Sequence, residues 1–493
     1  MSKMNLMDSL FFLVESNQTP MHVTPMMVIR PDDQHKPDFA LRLYQTLLGK
    51  QPVESPFNWR PRLSLTGNPR WEAVPVELDY HVRLSAVPAP GRRAQLNELL
   101  CRLQSQPLDR SRPLWELYII DGMSDGTVVL FMKLHHALFD GVGLNRYAKA
   151  MLTRTPDHHD WTPIWQHPAP DRKSMAAPGF VKSAVAALSG AAGQSKLLPE
   201  AMRLGARLCG RALGVRHGVT RVPFTAPRSL FNRTPASGRS FASLTVPLKR
   251  IKEIGARAGA SFNDVILTAC DMALNRYLEE RRITLDKPLV VMMPMSVRES
   301  GQLNANNQFV FGLVELSRGQ LMPLQRLNRI RRAAMTTKNE IRHFSAELYQ
   351  KYGVAIQALS LLAGRVGLER KVPASSNLVI STVPGPQEPR YIMGARVLEV
   401  SPMSALPPGQ SLNITSYSFD GKVCLGFLGC RKVLPDIGML ATYLERALDE
   451  LELAVLTQPM SLFDLYRPDL NGAVPGPKTQ SPAAIEPVRN RAG

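Results

Sequence analysis

The chain has 493 residues, of which 44% are hydrophobic, so it can bury a sizeable core and global disorder is excluded. At roughly 150 residues per domain, this length allows about three domains or two larger ones. The formal net charge is +19, and the segment 172–250 holds fourteen Lys and Arg residues against one acid, Glu200, which places +13 of that charge there.

The cysteines and the N-terminus favour a cytoplasmic protein without a membrane span. The five cysteines are odd in number and form no CxxC pair, which argues against a disulfide framework and against a zinc ribbon. The N-terminal apolar run is short and is interrupted by Glu15, so no secretory signal is expected. No window approaches the ~20 apolar residues of a membrane-spanning helix, and any membrane association is therefore expected to be peripheral.

The first 165 residues have the pattern of a mixed α/β unit. A helix is predicted around Phe39 and Leu47, a buried strand at TVVLFMKL (127–134), and a second helix from Val142 to Thr153. The Pro-, His- and Trp-rich run TPIWQHPAPDRK (162–173) marks the end of this unit.

Residues 166–237 are predicted to form a basic helical connector. Within it, Arg203, Arg207 and Arg211 form one helical stripe beside Leu204 and Leu208. A helix with such a basic edge can lie on an anionic lipid surface or attract the phosphates of a nucleotide-like substrate. The alternative is a surface helix that packs on its own protein and exposes a solvated arginine face.

A second α/β unit is predicted from 238 to 457. Ser261, with Asp264 three residues later, is expected to cap a helix. The runs 289–295 and 377–383 are apolar enough for buried strands, and alternation on both sides of Asp420-Gly421 predicts a hairpin. A last helix with Ile437 to Leu451 on one face closes the unit, and the tail 458–493 is expected to be disordered at its end.

The stretch LHHALFDGVG (134–143) contains the candidate catalytic residues. Neighbouring residues of a strand point to opposite faces, so His135 and His136 cannot readily ligate one ion, and no HExxH pattern accompanies them. One alternative is structural: a hydrogen-bonded core histidine followed by an ordinary turn at Asp140-Gly141. The other is that one imidazole reaches a cleft as a general base while its neighbour anchors the loop. Since residues 137–139 are Ala, Leu and Phe, no nucleophile stands beside the histidines, and direct transfer is the preferred mechanism.

HHALFDG matches the HHxxxDG motif of the coenzyme-A-dependent acyltransferase superfamily, and most of residues 4–455 resemble the bacterial bifunctional wax ester synthase/diacylglycerol acyltransferases. Two positions depart from that family's pattern: Asn306-Asn307 replaces a Gly-Asn pair, and Thr382 replaces an Asn. The further segments that carry the resemblance are MDSLFFLVESNQTPMHV (7–23), PLDRSRPLWELYIIDG (107–122), FNDVILTAC (262–270), STVPGP (381–386) and LNITSYSFDGKVCLGFLGCRKVLPD (412–436).

The resemblance implies an α/β fold of two chloramphenicol-acetyltransferase-like subdomains with the active site in the cleft or tunnel between them. It also implies that His136 takes the hydroxyl proton of a fatty alcohol or a diacylglycerol as the oxygen attacks an acyl-CoA thioester. Asp140 would fix the loop, and His135 would support it. No metal and no cofactor are implied, because acyl-CoA is a co-substrate.

Three further residues have two interpretations each. Asn263 is the candidate donor to the oxyanion of the tetrahedral intermediate, because it stands in the first turn of a predicted helix; alternatively it only completes the helix start. Leu114 and Trp115 are expected to pack in the core rather than to contact the acyl chain.

Two other functions compete with the ester-forming enzyme. A freestanding condensation-type enzyme would share HHxxxDG and form amides from carrier-bound acyl groups. The basic segment would also suit a non-catalytic membrane- or nucleic-acid-binding protein, but it lacks interleaved aromatics and any duplex-reading motif, so no nucleic-acid partner is expected. The expected partner surface is the anionic inner face of the membrane, or that of lipid inclusions.

Overall fold

The computed structural model describes residues 2–4, 6–32, 38–63, 69–138, 147, 149–156, 161–167, 198–215, 221–296, 309–368 and 371–457. The helices within these ranges are α1 (Leu6–Val14), α2 (Phe39–Leu48), α3 (Leu78–His81), α4 (Arg93–Ser105), α5 (Leu198–Ala212), α6 (Leu248–Ala258), α7 (Phe262–Glu280), α8 (Pro323–Arg342), α9 (Ala346–Arg365) and α10 (Gly438–Thr457). The strands are β1 (Ser2–Lys3), β2 (His22–Val23), β3 (Met26–Arg30), β4 (Trp59–Arg62), β5 (Arg70–Ala73), β6 (Val82–Ala86), β7 (Trp115–Asp121), β8 (Val128–His135), β9 (Arg239–Pro247), β10 (Val290–Ser296), β11 (Phe309–Glu315), β12 (Leu378–Pro384), β13 (Tyr391–Ile392), β14 (Ala395–Ser401), β15 (Leu412–Phe419) and β16 (Lys422–Cys430).

The first sheet has the order β13-β14-β3-β8-β7-β6, and β2 also pairs with β8. Every residue of β8 is buried, which confirms the strand predicted at 127–134 and explains its continuous apolar run. The predicted helix at Phe39 and Leu47 is α2, and both side chains are buried in the same core as Leu114 and Trp115. The Trp115 indole N–H donates to Phe57 O at 2.7 Å, so this tryptophan packs in the core, as expected.

The second sheet has the order β11-β10-β12-β15-β16-β9, and its core includes side chains of α6, α7, α8 and α10. The strands predicted at 289–295 and 377–383 are confirmed as β10 and β12, and the last predicted helix is confirmed as α10. The Asp420-Gly421 hairpin joins β15 to β16, and both turn residues have positive φ (45° and 70°), as an Asp-Gly hairpin turn requires.

The cap predicted for α7 is also confirmed. The Ser261 hydroxyl accepts from Asp264 N–H at 3.2 Å, and the Asp264 carboxylate accepts from Ser261 N–H at 2.9 Å. These reciprocal bonds form a capping box, which fixes the start of the helix.

The two halves of the chain are interlocked by a pair of strands. β13 and β14 follow β12 in the sequence, yet β14 pairs with β3 of the first sheet. An ion pair of 2.6 Å between Arg93 and Glu399 joins α4 to β14. The second unit expected at 238–457 therefore contributes strands to the first sheet, which brings elements of both halves together.

Several predicted features lie outside the described residues. Of the helix predicted from 142 to 153, positions 147 and 149–151 are helical, and most of the remainder is not described. Asp140, Asn306, Asn307 and the tail 458–493 also lie outside the described ranges.

Position 426 is predicted to require glycine, because the chain that leaves β14 passes close to it. A Cβ added there would lie 1.8 Å from the carbonyl oxygen of Pro402, the residue that follows β14. We expect Gly426→Ala to lower the free energy of unfolding by about 1–3 kcal/mol or more, because the backbone must shift to relieve the overlap. Thermal unfolding followed by circular dichroism measures this loss.

Gly205→Ala in α5 is the matched control, because a Cβ added at Gly205 meets no atom within 4 Å. Alanine favours a helix over glycine by about 0.8–1 kcal/mol, so this variant should be as stable as the parent or more so. Equal melting temperatures for Gly426→Ala and the parent would contradict the crossing geometry.

Candidate active site

The end of β8 directs two neighbouring histidines to different surroundings. The strand runs between β7 on one side and β2 with β3 on the other, and His135 is its last residue. The His135 N–H donates to Leu114 O at 3.1 Å, whereas the His136 N–H donates to Met21 O at 2.8 Å. His136 begins a turn that is closed by the Leu138 N–H bond to His135 O at 3.0 Å.

His135 is fully buried, with one ring nitrogen hydrogen-bonded and the other facing a carboxylate. Its Nδ1 accepts from the Ala137 N–H at 3.2 Å, so the ring proton belongs on Nε2. Nε2 lies 3.4 Å from a carboxylate oxygen of Glu15. The ring also stacks on Phe12, with centroids 4.6 Å apart and planes 9° from parallel. These contacts suit an anchor and leave no room for a substrate at this ring.

Glu15 supplies the carboxylate that faces Nε2 of His135. Its side chain is only 3% exposed, yet it accepts from the Met21 N–H at 2.9 Å and from Arg110 Nη2 at 2.8 Å. Burial opposes its ionisation, but the His135 ring and the hydrogen bonds from Met21 N–H and Arg110 outweigh burial and lower its pKa to about 2. Glu15 is therefore ionised at neutral pH.

A third histidine, His22, lies opposite His135 in the pairing of β2 with β8. Its Nε2 donates to Gln104 O at 3.0 Å, which places the ring proton on that nitrogen. Complete burial, with the nearby charge of Lys133, lowers the pKa of His22 well below its ordinary range. His22 is therefore a neutral part of the core beneath the site.

His136 has surroundings that differ from those of His135. Its side chain is half-buried, and the ring stacks on Phe11, with centroids 4.6 Å apart and planes 21° from parallel. Phe11 in turn packs against a small apolar cluster that joins α1 to α9 and to the loop after β14: Val14, Met21, Leu361 and Ala405. The imidazole therefore stacks on a side chain of α1 that itself packs against apolar side chains from both halves of the chain.

The other predicted site residues are separate from this cluster or not described. Asn263 is exposed in the first turn of α7, a helix that packs against α6, α8 and α10, and its role at an oxyanion stays a prediction. Asp140 lies outside the described residues. Thr382, one of the two departures from the family pattern, is on β12, with its hydroxyl 3.1 Å from that of Ser416. Among the residues that the structure describes, no group of three or more His, Cys, Asp or Glu side chains could hold a metal ion.

Sequence reasoning missed Glu15, Arg110 and Phe11. Glu15 did carry a signal, because a single carboxylate inside the apolar run LFFLVES is out of place unless it has buried partners. The sequence does not identify those partners, since Arg110 and His135 lie 95 and 120 residues further along the chain.

The arginine stripe of the connector also differs from its predicted setting. Leu204 is buried, and Arg207 pairs with the buried carboxylate of Glu340 in α8, with Nε 2.7 Å from Oε1. α5 thus packs on its own protein, but Arg207 is directed inward. The expectation of a common, outward-facing edge formed by Arg203, Arg207 and Arg211 is therefore wrong.

The architecture is that of solved condensation domains. The first condensation domain of the calcium-dependent antibiotic synthetase matches 92% of this chain and 96% of its own, with a TM-score of 0.54 at 15% identity. The starter condensation domain of rhizomide synthetase matches 93% and 96%, with a TM-score of 0.54 at 13% identity. This likeness shows the fold alone, and it confirms the expected α/β class with two chloramphenicol-acetyltransferase-like parts.

The family follows from closer matches. The family model for the wax ester synthase/diacylglycerol acyltransferase catalytic domain matches residues 4–266, and the model for the C-terminal domain of the same family matches residues 305–452. The chain belongs to the wax ester synthase/diacylglycerol acyltransferase family and is an O-acyltransferase.

Individual relatives agree with this assignment over nearly the whole chain. A probable diacylglycerol O-acyltransferase of Mycobacterium tuberculosis is 36% identical over 457 residues, which is 91% of this chain and 98% of the relative. The solved wax ester synthase/diacylglycerol acyltransferase of Marinobacter aquaeolei VT8 matches 92% of this chain and 100% of its own, with a TM-score of 0.73 at 30% identity.

The lowered pKa of Glu15 predicts a pH-dependent contribution to stability. A fall from the ordinary value of 4.5 to about 2 corresponds to about 3 kcal/mol in favour of the folded state. Because the folded-state pKa is the lower one, this stabilisation is complete above about pH 4.5 and is lost as the pH falls toward 2. Glu15→Gln should therefore be less stable than the parent by about 3 kcal/mol at neutral pH, and the difference should shrink below pH 4.5.

Urea unfolding at pH 7.5, 5.0 and 4.0 measures this difference. Glu77→Gln is the matched control, because Glu77 also pairs with an arginine, Arg112, but is 67% exposed. Exposed pairs contribute about 0–1 kcal/mol, so this control should change little at any pH. A Glu15→Gln deficit of the same size at all three pH values would rule out the ionised carboxylate as its cause.

Proposed function

We propose that the chain transfers a long-chain acyl group from acyl-CoA to the hydroxyl of a fatty alcohol or a diacylglycerol, with His136 as the general base. The observation that carries this proposal is the contrast between two adjacent imidazoles. His135 is fully buried, with Nδ1 accepting from the Ala137 N–H and Nε2 facing the Glu15 carboxylate, whereas His136 is half-buried and stacks on Phe11. Membership of the family, and the names of the relatives, support the substrate class.

In the proposed reaction, an imidazole nitrogen of His136 accepts the hydroxyl proton while the alcohol oxygen bonds to the thioester carbonyl carbon. The tetrahedral intermediate then collapses, the C–S bond breaks, and the imidazolium returns its proton to the CoA thiolate. The products are an ester and free CoA, and the base is regenerated. Direct attack is favoured because Ala137 and Leu138 follow the histidine, and neither supplies a nucleophile.

The other predicted site residues have supporting roles in this proposal. Asn263 would donate to the oxyanion from the start of α7, where the helix dipole also favours negative charge. Asp140 would fix the loop after the histidines. His135 would hold the end of β8 in place, a role that the Nδ1 hydrogen bond and the position of Nε2 beside the Glu15 carboxylate support.

Amide formation from carrier-bound acyl groups is the alternative activity. The condensation domains that share the fold are only 13–15% identical to this chain, so they support the architecture and not the substrate. We therefore assign acyl-CoA as the donor and a hydroxyl as the acceptor. Assays with palmitoyl-CoA and hexadecanol, a diacylglycerol or hexadecylamine separate the activities, since amide without ester would overturn the assignment.

We further propose that the enzyme works in the cytoplasm as a peripheral protein, on the inner face of the membrane or on lipid inclusions. Within the described residues, no helix combines the length and the apolar character that crossing a bilayer requires. The net charge of +19 favours anionic lipid over a neutral surface. Nucleic acid is not proposed as a partner.

The base assignment predicts a large loss of turnover in His136→Ala. Removing a general base costs about 100- to 10,000-fold in rate, so kcat for ester formation should fall at least about 100-fold. Release of free CoA thiol measures the rate, and the melting temperature should stay near that of the parent because the ring is not sealed in the core.

His343→Ala is the matched control. This histidine is exposed at the end of α8, where its Nδ1 contacts Asn339 O. We expect its kcat to equal that of the parent. Turnover of the folded His136→Ala variant at the parental rate would remove His136 from the mechanism.

A further inference from the structure

α5 packs on the second half of the chain through one side only. Leu204 is buried in a cluster with residues of β11, α8 and α9: Val310, Ile341, Leu348 and Tyr349. Leu208 packs against the same cluster. The side that contains Leu204 and Leu208 is therefore the side that α5 turns toward its own protein.

Two of the charges of α5 also lie on this inner side. Glu200 accepts from the N–H and the hydroxyl of Ser345, and Arg207 forms a two-pronged ion pair with Glu340. The Glu340 side chain is 1% exposed, so this pair reaches into the interior. The inner side of α5 therefore combines apolar packing with charged side chains that have partners.

The outer side of α5 is uncharged. Met202, Ala206 and Cys209 are spaced by four and three residues, which places them on one face of the helix. Leu213, the first residue after the helix, continues this face, because its N–H still donates to Cys209 O at 2.9 Å. Met202 is 68% exposed and Leu213 is 78% exposed, and Val215 just beyond the helix is 77% exposed. A Cβ added at Gly205, on the same side, would meet no atom within 4 Å.

The charge beside this face favours an anionic occupant. Arg203 is exposed next to it, and the sequence 196–216 contains five basic residues against one acid, Glu200. A lipid surface with acidic headgroups offers anionic groups for arginine and hydrocarbon for Met202 and Leu213. A nucleic acid offers only the anionic groups, and an uncharged protein patch only the apolar contact.

We propose that α5 lies on an acidic phospholipid surface with its face of Met202, Ala206, Cys209 and Leu213 inserted among the headgroups. This inference deepens the proposed peripheral location, on which it rests, and specifies the contact as mainly apolar with Arg203 at its edge. It does not depend on the chemistry of His136. Vesicle binding is measured without any acyl substrate. A failure of lipid binding and a failure of the proposed reaction are therefore separate results.

Cys209 provides a direct probe of insertion. It is exposed, whereas the other four cysteines are buried, so an environment-sensitive thiol fluorophore should label it selectively in the intact chain. Vesicles of phosphatidylcholine and phosphatidylglycerol should shift the emission of this label to the blue. The matched control carries the label at Leu453→Cys of α10 in a Cys209→Ser background, and its emission should not shift.

Sedimentation with the same vesicles measures affinity. Replacing Met202 and Leu213 by Gln should reduce binding at least about tenfold, since each loses apolar area from the lipid contact. The control replaces Leu453 and Leu456 of α10, which are 62% and 57% exposed but have the acidic neighbours Glu450 and Glu452. This control should bind like the parent.

The arginines give a second, internal comparison. Arg203→Gln should weaken binding about fivefold, the equivalent of about 1 kcal/mol for one basic residue at an acidic surface. Arg207 is unsuitable for this purpose, because its replacement leaves Glu340 buried without its partner. Vesicles of phosphatidylcholine alone should bind the parent more weakly than the mixed vesicles.

Several results would overturn the inference. They are parental vesicle binding by the Met202/Leu213 variant, no blue shift at Cys209, or no binding of the parent to the mixed vesicles. A change of solution mass in the Met202/Leu213 variant would show that a second copy of the chain covers the face. Protection of Cys209 from labelling in the absence of lipid would show that another part of the chain covers it.

Discussion

One buried carboxylate, that of Glu15, connects the segments that position the two histidines. It accepts hydrogen bonds from Met21 N–H and from Arg110 and faces Nε2 of His135. A buried carboxylate without partners costs on the order of several kcal/mol, so the ionised group is stable only while its donors stay in place. These donors come from the loop after α1, the segment before β7 and the end of β8. Satisfying one charge therefore requires three segments to converge, and the same convergence sets Phe11 of α1 over His136.

The second requirement is that both halves of the chain meet at this point. Phe11 and Met21 come from the first half, and Leu361 and Ala405, which pack with them, come from the second. The crossing of β14 into the first sheet holds these parts together, because it places a strand of the second half beside β3. The close approach of Pro402 to Gly426 fixes where the crossing strand leaves that sheet. The site is thus a property of the interlocked pair, and neither half contains the surroundings of His136 by itself.

Sequence reasoning succeeded where the cause of structure is local. The apolar run of β8, the Ser261 cap and the Asp-Gly hairpin depend on neighbouring residues, and each is found as predicted. It failed where the decisive partner is distant. Periodicity shows that α5 has two sides but not which one faces the protein. In the absence of other information, an arginine side chain is expected to face water. Glu340, 133 residues beyond Arg207, reverses that assignment. The pairing of β14 with β3 was missed for the same reason, and the role proposed for Asn263 has no local signal beyond its place at a helix start.

The proposed lipid contact of α5 and the proposed reaction are connected by the way in which the enzyme obtains its acceptor, the fatty alcohol or diacylglycerol. Each buried CH₂ group contributes about 0.8 kcal/mol to transfer from water, so bringing a sixteen-carbon chain out of a lipid phase into water costs on the order of 10 kcal/mol. An enzyme that met its acceptor in solution would have to overcome that cost before any chemistry. An enzyme held on the lipid surface by α5 can receive the acceptor without exposing its chain. In the proposed reaction, Phe11 and the apolar cluster behind it would serve the same purpose, because apolar surroundings favour a hydrocarbon-bearing hydroxyl over water, the competing nucleophile that would hydrolyse the thioester.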